Sequence, residues 1–388
     1  MLLYGTNWNH KFVMSIVTGV SVLVLGGGLQ GLSVSYSLYK TGNRVLVYSQ
    51  ESEFDHCRFV FKRVHFPLTV ANVACGIVEN GISVVIPMGD KLAEWLSINK
   101  KELSERTGAV CAVPDYEVFK SASSKSDLIN ICQTNGISVP RTSKIDLCSA
   151  EEVCRYVGFP ALIKPDHSVG ARGITQVGSL EDLLAKLPGI IDSYGSCSLQ
   201  EFIDNPDFYF NAMLYRYGDG SYAPSVIIKI LRFYPLSGGS SSMCVTVEDE
   251  RLESLCKRVL DVLDWHGFAD FDVLYDKKDG QYKIIEINPR VPASLRAADA
   301  AGINFPQIIL CDSLGMRYPD MECRQGICLR YMGLDILWFL KSRKRFSCTP
   351  SWFKFSGKNL YYQDLYKDDW KLSVFTMYEG IRKLFKRR

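Results

Sequence analysis

No stretch of this 388-residue chain stays apolar for the roughly 18 residues that a membrane-spanning helix needs. The nearest, "FVMSIVTGVSVLVLGGG", is β-branched, broken by Ser, Thr and Gly, and runs straight into a glycine turn. It reads as a buried strand, with residues 1 to about 18 as an irregular leader. Lys11 imitates the basic start of a signal peptide, but no small-residue cleavage site precedes the next helix. Paired cysteines are missing too. The thirteen present are odd in number, contain no C-x-x-C and sit in apolar runs such as "LINICQTNG" and "IILCDSLG". That argues against a disulfide framework or a zinc site and fits reduced thiols in the cytosol. Five histidines without ligand spacing give no reason to expect a structural metal. Net charge is only +3, which argues against a uniformly basic nucleic-acid binder. Internal repeats, low-complexity tracts, a Walker A loop and a biotin-carrier M-K-M are all absent.

What charge there is lies unevenly. From Arg330 to Arg388 there are fourteen Lys and Arg against five Asp and Glu, a net +9 that leaves the first 329 residues at −6. Residues 331–388 also hold 14 aromatics, three of them Trp. "DILWFLKSRKRF" and "MYEGIRKLFKRR" each join an apolar stretch to a basic cluster. Either a helical cap packs these aromatics on the body of the protein, or the tail lies on an anionic membrane surface.

The first third alternates strand and helix: a strand at 21–26, the glycine turn "GGGLQG", a helix over about 30–42, then the strands "RVLVYS" and "SVVIPMG". Such alternation implies parallel pairing with right-handed crossovers. Gly26, Gly28 and Gly31 form a G-x-G-x-x-G with Glu51 about 20 residues beyond, the pattern of a dinucleotide site, though weak when it stands alone. Pro114 and a serine cluster mark a linker. After it come a helix, "KSDLINICQTNG", the strands "FPALIKP" and "ITQV" around the loop "DHSVGARG", and the helix "SLEDLLAKL". "CSLQEFI" and "FYFNAMLYRYGDGSY" read as strands of an antiparallel sheet, and "SGGSSSMC" as a loop near an acceptor pocket. A helix at 249–264 leads into the hairpin "FADFDVLYDKKDGQYKIIEINPR", turning at Lys277 to Gly280.

That hairpin is the most informative segment. Period-2 alternation puts Glu286 and Asn288 on one face, and pairing can bring Asp272 beside them. Three oxygen-bearing side chains amid apolar neighbours suit a hard divalent cation shared with phosphates. Lys164 at a strand end, followed by a Ser-x-Gly-x-x-Gly loop, offers a point charge and flexible N–H donors to a triphosphate.

In their order over roughly residues 20–315, these motifs resemble the ATP-grasp superfamily, which includes D-alanine and D-aspartate ligases, biotin carboxylase and the carbamoyl phosphate synthetase large subunit. The resemblance implies a mixed α/β and α+β architecture. A Rossmann-like leading domain (1–115) would be followed by a first ATP-grasp lobe with the glycine-rich loop (116–200), a second lobe with the metal hairpin (201–330) and a C-terminal extension (331–388). It implies ATP contacts at Lys125, Lys164, Ser168, Gly170, Gly173, Gln200, Glu201, Phe202 and Ile203, and a ribose contact at Asp207, shorter than the family's usual Glu. Asp272, Glu286 and Asn288 become ligands of Mg²⁺ or Mn²⁺, and Arg290, Lys229 and Arg232 the catalytic cations. The expected function is an ATP-dependent carboxylate–amine ligase acting through an acyl phosphate on small-molecule substrates. It would be cytoplasmic, with a peripheral contact at the inner membrane face through its tail, without nucleic acid, and a monomer or homo-oligomer. The alternatives are a nicotinamide-dependent oxidoreductase using the glycine turn and a nucleotide-binding module without catalysis.

Overall fold

Four consecutive apolar residues, Val22 to Leu25, are buried on both faces, as expected of a central parallel strand. In the computed structural model, which describes residues 16–51, 54–55, 57–166, 173–236, 238–366 and 368–386, they form β1 (Ser21–Leu25). There follow α1 (Gly28–Lys40), β2 (Arg44–Tyr48), β3 (Lys62–Val64), α2 (Val70–Asn80), β4 (Val84–Pro87), α3 (Asp90–Thr107) and β5 (Val110–Cys111). The sheet runs β3-β2-β1-β4-β5, all parallel. Alternate residues serve two cores. Val22, Val24, Val45 and Val47 meet Leu32, Val34 and Leu38 of α1, while Leu23, Leu25 and Leu46 meet α2 and α3.

The next unit contains α4 (Tyr116–Ser123), α5 (Lys125–Thr134), β6 (Thr142–Ile145), α6 (Ala150–Val157), β7 (Ala161–Pro165), β8 (Thr175–Val177), α7 (Leu180–Tyr194) and β9 (Cys197–Glu201). Its four strands pair antiparallel in the order β6-β9-β7-β8 and bury one face under α6 and α7. Ser124 caps α5 by accepting the Asp127 N–H, which sets Lys125 at the first helical position.

A mixed sheet of seven strands makes the rest: β10 (Tyr209–Arg216), β11 (Val226–Tyr234), β12 (Ser240–Val247), β13 (Gly267–Asp276), β14 (Gln281–Asn288), β15 (Cys328–Arg330) and β16 (Leu360–Tyr362), in the order β14-β13-β10-β11-β12-β15-β16. Its helices are α8 (Glu250–Val262), α9 (Leu295–Ala301), α10 (Phe305–Ser313), α11 (Met332–Lys341) and α12 (Trp370–Lys386). One face packs on α5 and α8; the other joins α1, α9 and α10 in a core shared with the leading sheet.

Two expectations change here. The strands read at 197–203 and 208–222 belong to different sheets, because β9 pairs with β6 and β7 whereas β10 pairs with β11 and β13. Residues 240–247 are a strand, not a loop: pairing with β11 and β15 overrides the weak strand preference of three serines. The tail is woven into the body. β16 pairs in parallel with β15, α11 lies on β11 and β12, and Tyr366 is buried against Tyr36 and Phe59.

Candidate nucleotide and metal site

Register builds the site. Asp272 sits opposite Glu286 and Asp270 opposite Asn288, so β13 and β14 present four oxygen-bearing side chains on one face. Sequence reasoning named three and missed Asp270, although the alternation in "ADFDV" places it two residues before Asp272 on the same face. Burial pushes the Asp270 carboxyl up to about 8, and its Oδ1 has no hydrogen-bond partner. Burial and the neighbouring Glu286 charge push Asp272 well above the ordinary carboxyl range. Glu286 goes the other way: against its burial, a hydrogen bond from Asp272 and the charges of Lys125, Lys164 and Arg290 hold it low. Burial crowds Asp270, Asp272 and Glu286 on one face, where a cation would offset their repulsion, and the Asp270 Oδ1 beside them has no hydrogen-bond partner. These residues fit a divalent ion. Among the described residues no group of three His, Cys, Asp or Glu side chains is placed to hold a metal by itself.

Two cations reach this cluster from the antiparallel unit. Lys125 Nζ, on the first turn of α5, lies 3.6 Å from Glu286 Oε2. Lys164, on β7, donates to Gln200 Oε1. Its burial, with the Lys125 charge, lowers its pKa to about 8. Gln200 is held in turn by Thr142 Oγ1 at 3.1 Å. Arg290 closes the far side, with Nη2 3.3 Å from Asn288 Oδ1 and Nε 2.7 Å from Asp90 Oδ1 of the leading unit.

The strand-to-strand hinge follows β9. The Glu201 carboxylate is taken by Arg141, 2.9 Å from Nη2, while the Phe202 N–H bonds Pro160 O and Ile203 is buried. Asp207 is exposed and gripped by Lys277 at 2.8 Å and by Lys344 of the tail, whose hydrogen bonds lower it to about 2. Gly173 ends the glycine-rich loop with φ +74°. Ser168 and Gly170 lie outside the described residues.

The structure does not bring Lys229 and Arg232 to the cluster. Lys229 pairs with Phe210, on the face opposite Asn211 and Asp272, and its ammonium lies 3.8 Å from the Phe208 ring centroid. Arg232, 2% exposed, is locked beneath the tail by Asp335 at 2.8 Å. A β-bulge at Ile230–Arg232 and a partner 103 residues away decide this, and neither is visible in a local pattern.

The glycine turn is already filled. Glu51 accepts a hydrogen bond from the Gly28 N–H at the start of α1, where a dinucleotide's pyrophosphate would lie. A Cβ on Gly27 would come within 2.4 Å of Glu51 Oε2 and of Ser49 Oγ, and one on Gly26 within 2.7 Å of Met88 O. The glycines serve close packing, and Glu51, the acid about 20 residues beyond the turn, neutralises the helix N-terminus.

The family pattern described as "ATP-grasp in the biosynthetic pathway with Ter operon" matches residues 223–333, the stretch that holds the hairpin. The mixed α/β architecture is consistent with an ATP-grasp fold. The chain is 26% identical over 265 residues to the D-aspartate ligase of Enterococcus faecium, covering 63% of this chain and 61% of that protein. It is 27% identical over 177 residues to D-alanine–D-alanine ligase B of Pseudomonas syringae, covering 42% and 53%. With the carbamoyl phosphate synthase large chain of Pseudothermotoga lettingae it shares 22% over 326 residues, 78% of this chain and 29% of that one. The matches thus span at most 61% of these three relatives' lengths. Among solved structures, the biotin carboxylase domain of Hydrogenobacter thermophilus 2-oxoglutarate carboxylase, crystallised with MgADP, ADP and bicarbonate, superposes with a TM-score of 0.67 at 17% identity, covering 80% of this chain and 74% of that one. N5-carboxyaminoimidazole ribonucleotide synthetase from Thermotoga maritima gives 0.58 at 18%, covering 78% of each. At such identities the likeness is one of fold.

Lys164 leads to a pH prediction. A lysine with its pKa lowered to about 8 is charged below that pH and neutral above it, so ATP affinity should fall as pH rises through 8. Lys164→Met should bind ATP at least about tenfold more weakly at pH 7 and lose that pH dependence. Calorimetric titration across pH 6.5 to 9 checks both; an identical pH profile in the two proteins would show that the triphosphate lies elsewhere.

Proposed function

We propose that this protein is an ATP-dependent carboxylate–amine ligase. One observation carries the reading: Lys125 and Lys164 from one unit converge with Glu286 and its oxygen-bearing neighbours from another, which makes a cleft charged for a metal–triphosphate. On this reading the parallel sheet is the Rossmann-like leading domain, and the four- and seven-stranded sheets carry the two lobes. Asp272, Glu286 and Asn288, joined by Asp270, would hold Mg²⁺ or Mn²⁺. The ion would supply charge neutralisation between the β- and γ-phosphates. Lys125 and Lys164 would fix the phosphate oxygens, the backbone at Glu201 to Ile203 the adenine, and Asp207 the ribose after release from Lys344.

Arg290, anchored by Asp90, would stabilise charge on the transferring phosphoryl group as a substrate carboxylate oxygen attacks it and its bond to ADP breaks. A neutral amine then attacks the acyl carbon; the amide bond forms as the carbon–oxygen bond to phosphate breaks, and the amine's proton leaves to solvent with the phosphate. This requires no nucleophilic side chain, in keeping with Cys244, which is buried and pushed up to about 12 by that burial.

The D-aspartate and D-alanine ligase relatives favour amino-acid substrates. A panel of amino acids and hydroxy acids, taken pairwise with Mg-ATP, should reveal a pair on which ADP release depends. With that acid labelled by oxygen-18, one labelled oxygen should appear in the released phosphate. Acid-dependent turnover without label in phosphate would overturn the acyl-phosphate route.

A further inference from the structure

The tail leaves an aromatic surface uncovered. Phe346 is 76% exposed, Leu340 59%, Phe353 54% and Phe355 47%. The rings are held as one cluster: Phe346 and Phe353 stack at 6.3 Å, and Phe339 meets them at 5.6 and 5.8 Å. Trp352 backs the cluster 4.2 Å from Phe339, its indole N–H bonded to Asp335 O. The segment that carries it is basic, although Lys344 is paired with Asp207. From Ile336 to Gln363 the chain has six Lys and Arg and no Asp or Glu, and Lys341, Arg343, Lys344, Lys354 and Lys358 are exposed. On α12, which packs against α11, Trp370, Val374, Met377 and Tyr378 form a second exposed apolar stripe at helical spacing.

We propose that this surface docks on an anionic lipid bilayer, with Phe346, Phe353 and Leu340 entering the headgroup layer and the surrounding Lys and Arg facing lipid phosphates and carboxylates. Large rings in contact with water, beside exposed Lys and Arg, match the interfacial pattern of aromatic insertion plus charge attraction. A protein interface of this size would exclude lysines from its centre. No helix among the described residues is long and apolar enough to cross the membrane, so the contact is peripheral. It is independent of the ligase reading, since none of the inserting residues belongs to the nucleotide site.

Flotation of the full chain with vesicles tests this. Phosphatidylcholine vesicles containing phosphatidylserine should carry the protein upward at low salt and release it at high salt; pure phosphatidylcholine should carry little. Phe346→Ser with Phe353→Ser should reduce binding by at least about tenfold. Lys341→Glu, Arg343→Glu and Lys354→Glu together should reduce it about a hundredfold. Unchanged melting temperatures would show that both variants fold. Protein left at the bottom with both vesicle types, or variants that float like the parent, would overturn the proposal. So would a dimer in sedimentation that the double Phe variant dissolves, or retention on an oligonucleotide, if either occurs without flotation.

Discussion

Glu286→Gln should fold as the parent does and lose at least about a thousandfold in ATP turnover, because an amide is a far weaker ligand for a hard cation than a carboxylate. The cluster gives this variant an unusual signature. Glu286 accepts a hydrogen bond from Asp272 and faces the charges of Lys125, Lys164 and Arg290, which together hold its carboxyl low against its burial. The neutral amide gives up that attraction, so without metal the variant should melt at or somewhat below the parent's temperature. Added Mg-ATP should raise the parent's melting temperature by linkage and leave the variant's nearly unmoved. Parent-like ADP release by Glu286→Gln at saturating Mg²⁺ would sink the metal assignment.

Asp335→Ala should be the most damaging substitution to stability outside the apolar core. Asp335 is fully buried and accepts from Arg232 Nε at 2.8 Å, Arg330 Nε at 2.6 Å and Ser242 Oγ at 3.1 Å. Its loss strands two buried guanidiniums, a change worth about 3–5 kcal/mol when one partner of a buried pair is removed. Trp352 and Phe355, each 4.9 Å from the Arg330 guanidinium, leave little room for water to replace the lost acid. Replacing all three charges together, Arg232→Met, Arg330→Met and Asp335→Leu, should recover most of the stability, since an ion cluster of this kind can give way to apolar side chains of similar volume. The triple variant should also retain ATP turnover, because Arg232 does not reach the phosphate cluster. Thermal melting and ADP release decide both points; a parent-like melting curve for Asp335→Ala would mean that the cluster contributes nothing.

These two clusters mark the reach of sequence reasoning. Glu286 and Asn288 were legible as one face of a strand from a period of two. That Asp272 stands opposite Glu286 was not fixed by the hairpin turn, because a bulge between Asp272 and Val273 shifts the register by one residue. Lys164 was marked by its place at a strand end and Lys125 by the family resemblance alone. The faces of Lys229 and Arg232 were not legible, since a bulge resets the alternation of β11 and the acid that claims Arg232 arrives from α11. Helices α2, α3 and α6 and the short strands β3, β5 and β16 escaped for a related reason. Each depends on neighbours distant in sequence, as when β16 pairs with β15 some thirty residues away. Eight of the thirteen cysteines are buried, where they pack as small apolar side chains.

The ion pair between Arg290 and Asp90 ties the end of the hairpin to the start of α3, across 200 residues. Its consequence concerns time as much as space. During synthesis the parallel sheet can close while the rest of the chain is still being made, and Asp90 then stands ready for an arginine that emerges much later. The hairpin must dock on that finished surface, and β15, α11 and β16 must then seal the far edge of the large sheet. Loop closures of this length are slow, so the carboxylate cluster beside Arg290 should be among the last parts of the molecule to mature, after most of its secondary structure is in place.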